Sequence, residues 1–366
     1  MPDEASEYLS EVMPYLRAVV DSGASDLHIK VGSPAKVRIE GGLRPLQSPM
    51  LTPEDTERLV KSTMTPKTVE SFALTNEADY AISAPGIGRF RVNAFRGRGS
   101  AGMILRLVPI APKTLAELNM PDILGQLALE PRGLVLVTGP TGCGKSTTLA
   151  AMVDRINETN PVHILTIEDP IEVLHEDKVA SVNQRELGTD TADFKSALRA
   201  AMRQDPDVIL IGEMRDRETV AAALAAAETG HFVMSTLHTT DAAETVNRIV
   251  DFFPPFEQRQ IRMGLAQSLK GIICQRLVPN IRGGRTAIME IAVCNLRMQD
   301  AIIDPDKTIT IPDIIAEGGY HQMQTFDQHL VLMIQAGELA IKEAMNASSH
   351  PHELSLLLKR VGIEAP

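Results

Sequence analysis

The chain has 366 residues, 44% of them hydrophobic and 23% charged, and a formal net charge of −11. That length favours two domains with separate cores, and the composition is that of a soluble globular protein. No apolar run approaches the ~20 residues of a membrane span; the acidic start Met1-Pro2-Asp3-Glu4-Ala5-Ser6-Glu7 has no signal-peptide core, and the negative charge disfavours nucleic acid as the main partner.

Residues 1–20 read as a short amphipathic helix, with Tyr8, Val12, Tyr15, Leu16 and Val19 at helical spacing. Alternating runs at 26–31, 36–40 and 43–46 read as strands. Thr52-Pro53-Glu54-Asp55 opens a helix, with Thr52 as N-cap and Asp55 completing a capping box. Strands at 78–83, 89–95 and 103–108 complete a small α+β domain expected over 1–110. Between positions 89 and 106 stand Arg89, Arg91, Arg96, Arg98 and Arg106 without one carboxylate. A solvated hairpin and an anion site built from guanidiniums both account for this run; a nucleic-acid patch is the third and least favoured reading. Pro109, Pro112 and Pro121 mark a linker, set at 111–120.

The second domain is expected over 121–366. A Val-rich apolar run at 133–138 reads as a buried parallel strand, and 145–158 as a helix stopped at Asn160-Pro161. Between them lies Gly139-Pro140-Thr141-Gly142-Cys143-Gly144-Lys145-Ser146, followed by Thr147. It fits the P-loop pattern at every required position. Glycines let successive backbone N–H groups converge on one anion-sized hollow, and the helix N-terminus adds positive potential. Lys145 offers a cation to the β/γ-phosphates of ATP, and the Ser146 hydroxyl a ligand to Mg²⁺.

A second strand, 162–167, ends in Glu168-Asp169-Pro170-Ile171-Glu172, and a third, 208–211, ends in Gly212-Glu213. Ligands of open α/β sheets bind beyond the carboxyl ends of the strands, where these acids fall. Gly212 stands where a Walker B motif usually has its metal-binding Asp, so Glu168 or Asp169 is expected to supply that carboxylate, and Glu213, with Glu168 as the competing candidate, to orient the attacking water. A helix at 216–229 stops at Gly230. The next strand, 231–236, is expected beside the third, which brings His238 near the γ-phosphate; His231, at the strand's other end, is the weaker candidate. A helix at 257–267, a β insertion at 271–278 and 285–291, and helices at 311–316, 325–336, 341–347 and 351–361 close the chain, with Ser349 starting the last. Cys143, Cys274 and Cys294 are too scattered for a zinc or disulfide pattern, which suits a reducing cytosol.

With these motifs in view, the chain resembles the secretion-type ATPases, and among them the type IV pilus retraction ATPases of the PilT family. The resemblance runs from Ala24-Ser25-Asp26-Leu27-His28 to Gln324-Thr325-Phe326-Asp327-Gln328. It covers the P-loop, the acidic box Thr166-Ile167-Glu168-Asp169-Pro170-Ile171-Glu172, the altered Walker B from Arg203 to Asp216, and the His box from Gly230-His231 to Thr239. The resemblance implies a RecA-like ATPase domain preceded by a PAS-like domain. It implies a homohexamer that hydrolyses Mg-ATP on the cytoplasmic face of the inner membrane, peripheral to it, against a pilus platform protein and without nucleic acid. It also implies that arginines of the first domain reach a neighbour's γ-phosphate; Arg91, Arg96 and Arg106 match that role. A long N-terminal extension and a four-cysteine insertion, usual in assembly and secretion members, are not seen. Cys143 stands where Ser is usual, adding a thiol open to oxidation, and 295–303 matches the family's Ala-Ile-Arg-Asn-Leu run only loosely. The rival readings are an assembly or accessory retraction ATPase of the same fold, and a nucleotide-dependent switch with little turnover.

Overall fold

The computed structural model describes residues 9–364. The chain divides into two compact units, one running to Ile110 together with 172–174, the other formed by 111–171 and the chain from His175 onward.

The first unit opens with helix α1 (Met13–Asp21), which buries Leu16 and Val19; Tyr8 lies outside the described residues. Strands β1 (Asp26–Ile29), β2 (Lys36–Ile39) and β3 (Gly42–Pro45) follow. Helix α2 (Pro53–Lys61) has the expected capping box between Thr52 and Asp55. Helix α3 (Pro66–Thr75) was not expected, although Thr65-Pro66 starts it as Thr52-Pro53 starts α2. Strands β4 (Glu77–Ala84), β5 (Gly88–Gly97) and β6 (Ser100–Val108) complete a six-stranded antiparallel sheet of order β3-β2-β1-β6-β5-β4. Alternation along β5 sends Phe90, Val92 and Ala94 into a core shared with Leu16, Leu27, Phe72 and Leu105, and Arg91 and Asn93 outward.

The second unit is organised by a seven-stranded sheet of order β13-β12-β7-β11-β10-β8-β9. In chain order its elements are α4 (Ile123–Ala128), β7 (Gly133–Thr138), α5 (Lys145–Thr159), β8 (His163–Glu168), β9 (Ser181–Glu186), α6 (Phe194–Ala201), β10 (Val208–Ile211), α7 (Arg217–Glu228), β11 (Phe232–Leu237), α8 (Ala242–Asp251), α9 (Pro255–Ser268), β12 (Leu269–Pro279) and β13 (Arg285–Val293). All pairings are parallel except β12 with β13. Every residue of β7, β10 and β11 is buried, as suits parallel strands covered on both faces. The strand pair expected as an insertion is instead the continuation of this sheet, because β12 pairs with β7 from Leu134 to Thr138.

Helices α10 (Leu296–Ile303), α11 (Ile311–Glu317), α12 (Phe326–Gln335), α13 (Ile341–Ala347) and α14 (Pro351–Arg360) close the chain. The last is preceded by His350 at the N-cap position, while Ser349 accepts from the Arg276 guanidinium and does not cap it. Among the described residues no helix is long and apolar enough to cross a membrane.

Candidate nucleotide-binding site

The P-loop joins the end of β7 to the start of α5, with β11 on one side of β7 and β12 on the other. Gly139 has φ +142, and a Cβ there would fall 2.3 Å from the Gln275 carbonyl oxygen of β12 and 2.7 Å from Cys143 Sγ. No side chain fits between the loop and β12. Pro140, Thr141 and Gly142 are exposed at the loop's crest, and Ser146 and Thr147 are exposed on the first turn of α5. Cys143 is buried, and burial pushes its thiol above the ordinary range despite nearby Lys145. It is therefore a packing residue and not the oxidisable thiol that its exposure on a loop would have made it.

Parallel register sets the acids at one edge. β8, β10 and β11 end side by side, so Glu168, Glu213 and His238 emerge from three adjacent strands. Glu213 meets two basic side chains. Its Oε2 lies 2.9 Å from Arg215 Nη2 and its Oε1 3.1 Å from His238 Nε2. Burial alone would raise the Glu213 carboxyl, but Arg215 and His238 overcome it and hold the group below its usual range. His238 Nδ1 lies 3.4 Å from Lys145 Nζ. An ammonium only donates, so Nδ1 accepts and Nε2 carries the proton given to Glu213. Lys145 Nζ also donates to the Gly139 carbonyl at 2.7 Å and the Pro140 carbonyl at 3.2 Å. P-loop lysine, histidine and glutamate thus form one continuous polar chain.

Glu168 Oε1 accepts from Thr166 Oγ1 at 2.6 Å and from Gln184 Nε2 of β9 at 3.2 Å. Asp169, next along, is exposed and contributes to the field on Arg215. Gly212 packs against this strand end: a Cβ on it would sit 3.3 Å from the Ile167 oxygen and 3.4 Å from Glu168 Cα. A side chain here would need the end of β8 to give by a few tenths of an ångström. His231 lies at the opposite end of β11, where Nδ1 meets the Ala226 carbonyl of α7 at 3.0 Å. It closes a helix end and stands away from the carboxyl edge.

In the first unit, each of two predicted arginines has an acid from outside the arginine-rich hairpin. Arg96 grips Glu57 of α2 with two bonds, at 2.9 and 2.8 Å, and lies over the Phe72 ring. Arg106 Nε donates to Asp26 of β1 at 2.8 Å. Arg91 is exposed, and sheet register sets it directly opposite Arg106.

Comparison with known proteins bears on this arrangement. The type II/IV secretion system protein family matches residues 3–346. The type IV pilus retraction ATPase PilT of Pseudomonas aeruginosa is 45% identical over 90% of this chain and 95% of its own length. The chain belongs to the PilT family. The type IV pilus ATPase PilU of the same organism is 41% identical over 94% of this chain and 90% of its own. The crystal structure of the pilus retraction motor PilT with bound ADP aligns with a TM-score of 0.85 at 44% identity, covering 93% of this chain and 98% of that one. This PilT-family chain thus has an α/β fold with the architecture of a solved, nucleotide-binding relative.

Several residues of the PilT-family site were not singled out from the sequence. Gln275 and Thr148 hold the P-loop from below, and Gln184 supports Glu168 from a polar edge strand with no hydrophobic pattern to announce it. Arg215 was visible two residues beyond Glu213, the spacing that lets it reach back to the same carboxylate. Elsewhere, Asp327, His350 and Glu353 bring donor atoms within 4.8 Å of one another. His350 and Glu353 lie at the N-terminal turn of α14 and Asp327 in the first turn of α12; burial holds the Asp327 carboxyl above its usual range, although the Ser348 hydroxyl donates to it at 2.7 Å and Arg276 is close by.

Proposed function

We propose that this chain is a Mg-ATP-hydrolysing motor that powers type IV pilus retraction. The single observation carrying this reading is the continuous Lys145–His238–Glu213 network at the carboxyl edge of the P-loop sheet. The strand order, with the P-loop strand between β11 and β12, supports a RecA-like domain over 121–366. The antiparallel sheet with its flanking helices supports a PAS-like domain over 1–110, with 111–120 as linker.

In this reading the loop amides of residues 139–147 and Lys145 hold the phosphates of ATP. Glu213 is ionised at neutral pH because its two partners favour the carboxylate, so it can orient and polarise the attacking water. His238 links that carboxylate to Lys145, so a shift of the lysine toward the γ-phosphate is felt at Glu213. Mg²⁺ calls for hard oxygen donors, and the exposed Ser146 hydroxyl with the carboxylates of Glu168 and Asp169 supplies that chemistry. The ion would neutralise charge on the phosphates as the bond to the leaving oxygen breaks.

We further propose a homohexamer on the cytoplasmic face of the inner membrane, working on a pilus platform protein, in which arginines of one subunit complete the site of the next. Arg96 is held on both terminal nitrogens by Glu57, whereas Arg106 uses Nε for Asp26 and Arg91 stands beside it. Arg91 and Arg106 are therefore the better pair for a neighbour's phosphate. An accessory retraction ATPase of the same fold is the second reading, since the chain is nearly as similar to another type IV pilus ATPase, PilU, at 41% as to PilT at 45%. A deletion strain tests both. Hyperpiliated, non-twitching cells are expected of the main motor; normal surface pili with reduced retraction force are expected of an accessory one. Bald cells overturn retraction.

A further inference from the structure

We infer that Gln275 is a positioning residue for the phosphate-binding loop: its carboxamide sets the direction of the Gly144 N–H. This rests on the nucleotide reading of the P-loop. Gln275 lies on β12, one residue beyond Cys274, the partner of Thr138 at the end of β7. That register places it level with the start of the loop. It is 1% exposed. Its Nε2 donates to the Cys143 carbonyl at 2.6 Å, and its Oε1 accepts from Thr148 Oγ1 of α5 at 2.7 Å.

The Cys143 carbonyl decides which way the amide faces. A carbonyl only accepts, so the NH₂ end is turned to Cys143, and Oε1 is left to accept from the Thr148 hydroxyl. The Cys143 carbonyl and the Gly144 N–H belong to one planar trans peptide and point in opposite directions. Pinning the carbonyl toward β12 therefore aims the N–H away from β12, on the side left for an anion. Without the pin this peptide, next to a glycine, is free to turn and present its carbonyl to the phosphate. An oxygen there repels what the N–H would bind.

A core-packing role and a positioning role differ in what they do to the phosphates alone. Gln275→Met keeps the volume and removes both bonds. The measurements are the melting curve, the Kd for ADP, and the Kd for adenosine by competition, all on the full chain. Expected is a cooperative transition, ADP binding weakened about 10- to 100-fold, as befits a hydrogen bond to a charged group, and adenosine binding within about twofold of wild type. Thr148→Val, which removes the bond anchoring the other end of the amide, is expected to weaken ADP in the same direction but less. Thr148→Ser, which keeps the hydroxyl, restores it, and the Gln275→Met/Thr148→Val double variant is no weaker than Gln275→Met alone. Wild-type ADP affinity in Gln275→Met, or equal losses for ADP and adenosine, overturns the inference. Should Gln275→Met not fold, equal ADP affinity in Thr148→Val and Thr148→Ser overturns it as well. Wild-type chain that binds no ADP overturns the nucleotide reading itself and takes this inference with it.

Discussion

Replacing Glu213 with Gln isolates charge from shape. The variant keeps one oxygen, which can accept from Arg215 or from His238 where the carboxylate accepts from both, so the strand end loses one contact and should still hold its form. The Arg215 side chain is 61% exposed, which limits the ion pair's worth to about 1 kcal/mol. For a domain of this size that is a change of about 2–4 °C in melting temperature. Turnover should respond on a different scale. A positioned general base contributes about 100- to 10,000-fold, and an amide cannot take the proton. We expect kcat to fall within that range while the Kd for ADP changes less than about threefold. The assay is steady-state phosphate release beside ADP titration and a melting curve on the same preparation. A kcat within tenfold of wild type would refute the assignment. If Glu168→Gln is the more severe variant, with ADP binding intact, the water-orienting carboxylate is the one at the end of β8, and the Glu213 network serves the lysine instead.

Lys145→Ala should abolish phosphate release without unfolding the chain, since its ammonium satisfies loop carbonyls that water can reach once it is gone; wild-type release rates would reject the P-loop assignment. An Arg91/Arg106 double alanine variant and Glu213→Gln should each be inactive, yet co-expressed mixed rings should regain part of the ATPase rate; background rates in verified mixed rings, with each variant tolerated when doped into wild type, would reject a shared site. Glu290 gives a pH signature. Burial is the main cause that raises its carboxyl to about 7, although it accepts from the Ala242 N–H at 2.9 Å. A raised folded value means the folded chain holds a proton that the unfolded chain loses first, so this stabilisation is full below pH ~4.5 and is lost as pH rises through about 7. Glu290→Gln should remove up to about 3 kcal/mol of that slope; unchanged pH dependence of denaturant midpoints between pH 5 and 8 would count against it.

What the sequence made legible was local. The Val-rich run, the glycines and the lysine stand together in the chain, so the P-loop and its strand and helix could be read directly. Helix α3 is equally local, because Thr65-Pro66 signals its start as clearly as Thr52-Pro53 signals that of α2. Other features are not local. The carboxylate for Arg96 comes from α2 and that for Arg106 from β1, so a hairpin that reads as purely basic is paired in space. Gln275 stands 132 positions from the carbonyl it holds. Only the parallel pairing of β12 with β7 brings them together, and a strand pair read as an insertion gave no reason to expect it.

The same pairing orders events during synthesis. β7 lies between β11 and β12, both of which follow it in the chain, and β12 comes more than a hundred residues later. While the ribosome is still making the helices before Leu269, one whole edge of the P-loop strand has no partner, and all its residues are apolar except Gly133 and Thr138. An unpaired apolar edge is a site for association with other chains. The nascent second unit must therefore keep this apolar strand covered until the C-terminal part emerges. Premature termination anywhere before β12 should yield insoluble protein and not a weakly active ATPase.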